Sequence, residues 1–233
     1  MEKYLYLILT LGSLSVPLLY SVLEKKLHFI QFFKIAFLSI LLVAIPFLIW
    51  DGFFTYYGVW GFNETYHLPF TLFGMPLGEW LFFFCIPYAC LFTNEVLKHL
   101  FPKFKISKGA AIIISVILII FIGILLIFNF GKLYTTVNFI SFLFVLMYGL
   151  KKSPEVLETF YPNFIIVLIP FFVVNGILTG SFIESPMVWY NNDENLAFRL
   201  FTIPLEDVFY AFTMLFSSQL NFNFLKKRNY EKQ

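Results

Sequence analysis

Two short stretches carry acidic residues where acids are expensive. Pro76-Leu77-Gly78-Glu79 and Pro204-Leu205-Glu206-Asp207 each open an aromatic, apolar run, and they stand 128 residues apart. A carboxylate at the head of a membrane-spanning segment is taken out of bulk water, so its charge is costly. Groups held that way suit proton donation and removal. An acid in a first helical turn is also favoured by the helix dipole alone, but its retention in both stretches points beyond that. Asp51, at the end of another apolar run, could join Glu79 as a coupled pair. Neighbouring helical residues point about 100° apart, so only one of Glu206 and Asp207 can face a cavity squarely. Asp207 aligns with Glu79, which makes that register the inward one and leaves Glu206 to orient its neighbour or a water.

The elements that must position these groups are membrane helices. Of the 233 residues, 60% are hydrophobic and 13% charged, and the long runs almost free of charge point to a bilayer as solvent. Cys85 and Cys90 lie five apart in one apolar segment, a spacing that supports neither a disulfide nor a metal site. The chain carries no dinucleotide fingerprint, P-loop or paired-histidine motif. His28 and His99 read as loop residues near headgroups, and His67 as a minor site candidate. No nucleic-acid partner is indicated; membrane lipids are the expected surroundings.

Hydropathy predicts seven spans: Tyr4–Leu23, Phe32–Trp50, Glu79–Leu97, Ala110–Phe130, Leu133–Leu150, Asn163–Gly180 and Phe201–Leu220. The first lacks a small-residue cleavage site and reads as a retained helix. Seven spans place 13 of the 16 Lys and Arg on one side and three (Lys3, Lys132, Arg199) on the other. The positive-inside rule then puts the C-terminus in the cytoplasm and the N-terminus outside. Both acidic stretches fall toward the outer face.

The chain repeats itself. Pro46 to Gly52 resembles Pro170 to Gly176, with Asp51 matched by Asn175, and Thr55 by Thr179. Val59-Trp60-Gly61-Phe62-Asn63 resembles Val188-Trp189-Tyr190-Asn191, and the Pro-Leu stretches follow. The offset grows from 124 to 128 residues, so the second loop is about four residues longer. Such self-similarity marks a duplicated unit. The expected organisation is a three-helix repeat over 1–100, a linker helix over 101–131, a second repeat over 132–225 and a basic tail over 226–233. The linker span restores parallel orientation, so both acidic stretches reach one leaflet around a pseudo-twofold axis along the membrane normal. The fold class is therefore all-α transmembrane, seven helices built as two parallel three-helix repeats.

With the paired Pro-Leu-x-acid motifs, the Trp50-Asp51-Gly52 and Asn175-Gly176 helix ends and the Trp-Asn loops in view, the sequence resembles the integral-membrane lycopene cyclases of the heterodimeric type, in the form that fuses both units. The resemblance covers nearly the whole chain. It implies cyclisation of linear carotenoid end groups to ionone rings, with a lipophilic polyene drawn from the bilayer and other carotenoid-pathway enzymes as candidate partners. Members carry two adjacent acids after each Pro-Leu; here Gly78 stands where the first unit's extra acid would be.

Such a cyclisation is redox-neutral, so its stoichiometry requires no redox cofactor. It needs an acid protonated near neutral pH, a dry pocket and electron-rich rings beside the cation. The acid is assigned to the Glu206/Asp207 pair, with Glu79 as counterpart and Asp51 beside it. Trp60 and Trp189 are candidates for cation stabilisation, and otherwise interface anchors. Trp50, Trp80 and Asn175 complete the candidate substrate-binding set. Hydration of the same alkene, and proton-coupled transport through intramembrane carboxylates, are the competing functions.

Overall fold

The structure, a computed structural model, describes residues 2–231. Among these residues the chain forms seven α-helices: α1 (Leu5–Leu23), α2 (Phe33–Tyr56), α3 (Leu77–Leu100), α4 (Lys108–Phe128), α5 (Leu133–Lys152), α6 (Pro154–Leu178) and α7 (Leu205–Tyr230). Six of them, α1 to α6, are long and apolar enough to cross a membrane. α7 is long enough but less apolar. It lies against α2, α5, α3 and α6, so Glu206, Asp207, Thr213, Ser218 and Gln219 face protein rather than lipid. The architecture is an all-α transmembrane fold of two parallel three-helix repeats with a linker helix between them.

Helix ends differ from the hydropathy reading in ways that matter for the site. α2 runs on to Tyr56, so Asp51 lies inside the helix rather than at its end. α6 begins at Pro154, which needs no backbone N–H in a first turn, and contains Pro162 and Pro170. α7 continues through Tyr230. The expected basic tail at Lys226 is therefore helical, apart from residues 232 and 233, which lie outside the described residues. Hydropathy stops at Leu220 because the following turns carry charge, but Lys226 is held by Glu95 of α3 at 2.8 Å. Deeper in the bundle, Asn163 of α6 donates to Asn94 of α3, which donates to Gln219 of α7. Polar bonds of this kind tie helices together where lipid offers no competing partner.

The packing follows the duplication. α1 packs on α3 as α5 packs on α7, while α2 bridges the units by packing along α7. α4 lies outside, against α5 and α6, with Ser115 and Tyr161 in hydrogen-bond contact at 2.7 Å. Over the acid end the connections cross. Strand β1 (Trp60–Phe62) belongs to the first loop and is followed there by the hairpin of β2 (Thr71–Leu72) and β3 (Met75–Pro76). Strand β4 (Val188–Tyr190) of the second loop is followed by the hairpin of β5 (Arg199–Leu200) and β6 (Ile203–Pro204). β1 and β4 pair antiparallel, Gly61 opposite Trp189. The Asn63 amide donates to the Met187 carbonyl at 2.8 Å, and the Asn191 amide to that of Val59 at 2.9 Å. These two bonds are equivalent at an offset of 128, so the ribbon straddles the pseudo-twofold axis.

That register corrects one sequence match. Gly61, not Trp60, is equivalent to Trp189, and Trp60 is equivalent to Val188. The four extra residues of the second loop therefore fall before Met187. The two hairpins deliver the chain to α3 and α7 alike, with Phe73 and Gly74 at positive φ in the first and Phe201 in the second.

Candidate active site

α3 and α7 start immediately after Pro76 and Pro204, which places Glu79 and Asp207 in their first turns. Both acids face a cavity of about 580 Å³ between the two units, and Asp51 of α2 lines the same cavity. Pockets of ~300–1,000 Å³ are typical for small-molecule sites. The wall carries far more apolar than polar side chains, among them Phe82, Ile86, Phe171, Val174 and Met214.

Asp207 is 4% exposed and accepts three hydrogen bonds: from the Tyr134 hydroxyl at 2.6 Å, the Tyr190 hydroxyl at 2.9 Å and the Asn175 amide at 3.3 Å. Burial and the Asp207 carboxylate hold the phenol of Tyr190, a loop residue, well above its ordinary pKa, so it stays an O–H donor. Glu79 accepts from the hydroxyl of Tyr6. Asp51 accepts from the Trp60 indole N–H at 2.5 Å through Oδ1; its Oδ2 is buried without a hydrogen-bond partner among the described residues.

Glu206 points elsewhere. It is fully buried, outside the cavity lining, and its Oε1 accepts from the Thr135 hydroxyl at 2.6 Å and the Leu196 amide at 2.7 Å. Glu206 thus ties α7 to α5 and to the loop over the site. Glu206→Gln keeps an acceptor for both donors and is expected to retain the fold and activity within a few-fold. Glu206→Leu strands the buried Thr135 hydroxyl, at a cost of ~1–3 kcal/mol, and the partly buried Leu196 amide, and should lower the thermal midpoint in detergent clearly below that of Glu206→Gln. Equal midpoints would remove this positioning role.

Of the aromatic candidates, Trp60 lines the cavity with its indole edge on Asp51. Asn175 also lines it and serves Asp207. The others do not reach it. Trp189 is 43% exposed and lies across Gly61, whose missing side chain leaves room for the indole. Trp50 packs on Tyr210 and Phe54 with centroids 4.9 and 5.5 Å away. Trp80 donates its indole N–H to the Leu72 carbonyl at 3.2 Å, on the outer side of α3. His67 is buried, with Nδ1 2.7 Å from the Leu68 carbonyl, and is not part of the lining. Among the described residues no group of three or more His, Cys, Asp or Glu side chains is placed to hold a metal ion.

The tyrosines were missed by reading acids alone, yet they repeat. Tyr6 and Tyr134 stand 128 apart and each precedes its acid by 73 residues. Four residues on, the Thr10 hydroxyl donates to the Gly78 carbonyl, and the Asn138 amide to the Glu206 carbonyl. One residue after each tyrosine the units part: Thr135 donates to the acid Glu206, whereas the first unit has Leu7 in place of Thr135 and Gly78 in place of Glu206. The first unit thus lacks both its extra acid and that acid's donor.

A comparison with the curated proteins and one with the solved structures gave no match. The family model described as lycopene cyclase matches residues 3–97 and again residues 131–225. These two segments hold both tyrosine–acid pairs and make up most of the sequence: the chain belongs to the lycopene cyclase family.

Proposed function

We propose that this protein cyclises the end groups of a linear carotenoid by redox-neutral, acid-initiated isomerisation, and that the cavity beneath the β1–β4 ribbon is where it does so. The observation that carries this reading is the convergence of Asp51, Glu79 and Asp207, from both units, on one apolar cavity. A proton added to the terminal alkene leaves a tertiary cation; the next alkene attacks it and closes a six-membered ring; loss of a neighbouring C–H proton restores a double bond. Protons in and out balance, and no electrons are transferred.

The hydrogen bonds divide the labour. Asp51 has a carboxyl oxygen that no protein donor occupies, which suits it to carry the proton and hand it to the alkene. Asp207 receives three donors, which fix its position beside the cavity and suit it to act as counter-ion and proton acceptor for the cation. The initiating role thereby moves from the Glu206/Asp207 pair to Asp51, with Glu79 and its Tyr6 partner as the second acceptor. The rings of Trp60, Tyr210 and Phe82 line the same space and can face positive charge. The substrate is lipid-soluble and reaches the site from the bilayer. In this reading the excess of Lys and Arg at the opposite end of the bundle sets the site toward the outer leaflet.

Expression in lycopene-accumulating bacteria tests the proposal. The extracted pigment should absorb at shorter wavelength with its mass unchanged. A mass gain of one water would mean hydration instead. Unaltered lycopene in cells that hold the folded protein would overturn the reading.

A further inference from the structure

The duplication predicts two equivalent faces, but the cavity uses one. Beneath the ribbon of β1 and β4, its helical lining comes from α1, α3, α6 and α7, with Asp51 the single contribution of α2 and Tyr134 that of α5. The seam related to it by the pseudo-twofold axis is filled. Trp50 occupies the position that Val174 holds in the second unit, and its ring packs on Tyr210, Phe47 and Phe54. Val174 leaves its side of the cavity open. Correspondingly, α2 packs closely along α7, while α6 meets α3 far more sparsely.

The cavity is also deep, and it reaches the lipid-facing surface. From Glu79 to Thr93 its α3 wall spans 14 residues, roughly 21 Å at 1.5 Å per residue. Between α1 and α6, among the described residues, there is no packing comparable to that of α1 on α3. Gly12 and Pro170, on either side of this seam, are exposed and yet line the cavity, with Ser13 and Ile166 half-buried beside them. A Cβ at Gly12 would meet nothing within 4 Å among the described residues. The residue that matches Gly12 in the second unit is Ile140, and Pro17 is matched by Val145. The features that open this seam are thus not shared by its twofold-related counterpart.

We propose that the gap between α1 and α6, framed by Gly12, Ser13, Ile166 and Pro170, is the mouth through which a linear carotenoid inserts one end from the bilayer, and that the protein cyclises one end per binding event. This rests on reading the cavity as the cyclase site. A space of about 580 Å³ is of the size that holds a drug-sized ligand, so one end group and its adjoining chain fill it and the remainder trails into lipid. With the twofold-related seam shut by Trp50, the second end must wait until the first product has left and turned round.

The test uses the full-length protein in liposomes with lycopene in excess. The unmodified protein should release the one-ring product first, with the two-ring product following after a lag. Two-ring product from the first turnovers, without a one-ring intermediate, would overturn the proposal. Gly12→Trp, at a position where a Cβ meets nothing within 4 Å among the described residues, should obstruct the mouth and reduce turnover by about tenfold or more, since misplacing a reactant even slightly is that costly. Leu11→Trp, on the lipid-facing side of α1, should keep its activity. Ile166→Trp closes the mouth from the opposite rim and decides the matter if Gly12→Trp does not fold. Wild-type turnover in a folded mouth variant, or an equal loss in Leu11→Trp, would overturn the mouth assignment. Failure of the unmodified protein to form any ring would instead sink the cyclase reading itself.

Discussion

Asp207→Asn is expected to reduce ring formation by about 10²–10⁴-fold, the usual worth of a positioned acid–base group, while leaving the protein folded. The side chain is nearly isosteric, and its one carbonyl oxygen can still accept from Tyr134, which now bonds Oδ1 at 2.6 Å, or from Tyr190, which now bonds Oδ2 at 2.9 Å, though not from both. What disappears is the negative charge that faces the cation and the basicity that removes its proton. The amide would also point a donor at Asn175 or at a tyrosine, so a small loss of thermal stability is expected, well below that of Glu206→Leu. Turnover of purified protein in liposomes, with a thermal scan on the same sample, checks both parts. Activity within threefold of wild type would remove Asp207 from the chemistry. A parallel loss in Glu206→Gln would show instead that the first turn of α7 acts as one structural unit.

Gly78→Glu is expected to destroy the first unit's half of the site, although the duplicated pattern places an acid there. A Cβ on Gly78 would stand 2.6 Å from Cγ of Tyr6 and 2.9 Å from its Cβ. Those atoms lie at the root of a side chain that is 1% exposed, so they cannot swing away as a flexible tip would. Overpacking of a filled core costs ~1–3 kcal/mol, and a buried carboxylate without a donor costs more; Leu7 offers none where Thr135 serves Glu206. Gly78→Ala isolates the steric part. At ~2–4 °C per kcal/mol for a chain of this size, it should lower the thermal midpoint by several degrees and weaken the Tyr6–Glu79 bond. Higher turnover in Gly78→Glu would mean that the first unit lacks an acid it could use. The structure gives the opposite account: the glycine lets α1 and α3 approach closely enough for Tyr6 to reach Glu79.

The transmembrane class and the duplication are legible from residues alone because they depend on local properties. A bilayer selects apolar runs by length, and two copies of one unit keep their punctuation at the same positions. The same logic points to Asp51, Glu79 and Asp207, and the ~100° step between neighbours on a helix separates Asp207 from Glu206. α7 was harder to delimit. Its burial against four other helices, not its own composition, keeps its charged last turns helical, with Lys226 on Glu95.

Only the tertiary structure decided which side chains meet. Tyr6, Tyr134 and Tyr190 lie 73, 73 and 17 residues from the acids they bind, and no local pattern links a phenol in one helix to a carboxylate in another. Trp50, Trp80 and Trp189 have the composition of binding residues, yet the packing of α2, the outer side of α3 and the ribbon register turn them away from the cavity. The sequence determined two similar units with acids at one depth. Packing made them unequal, because one tryptophan fills the seam that a valine leaves open, and a filled volume cannot also hold a substrate.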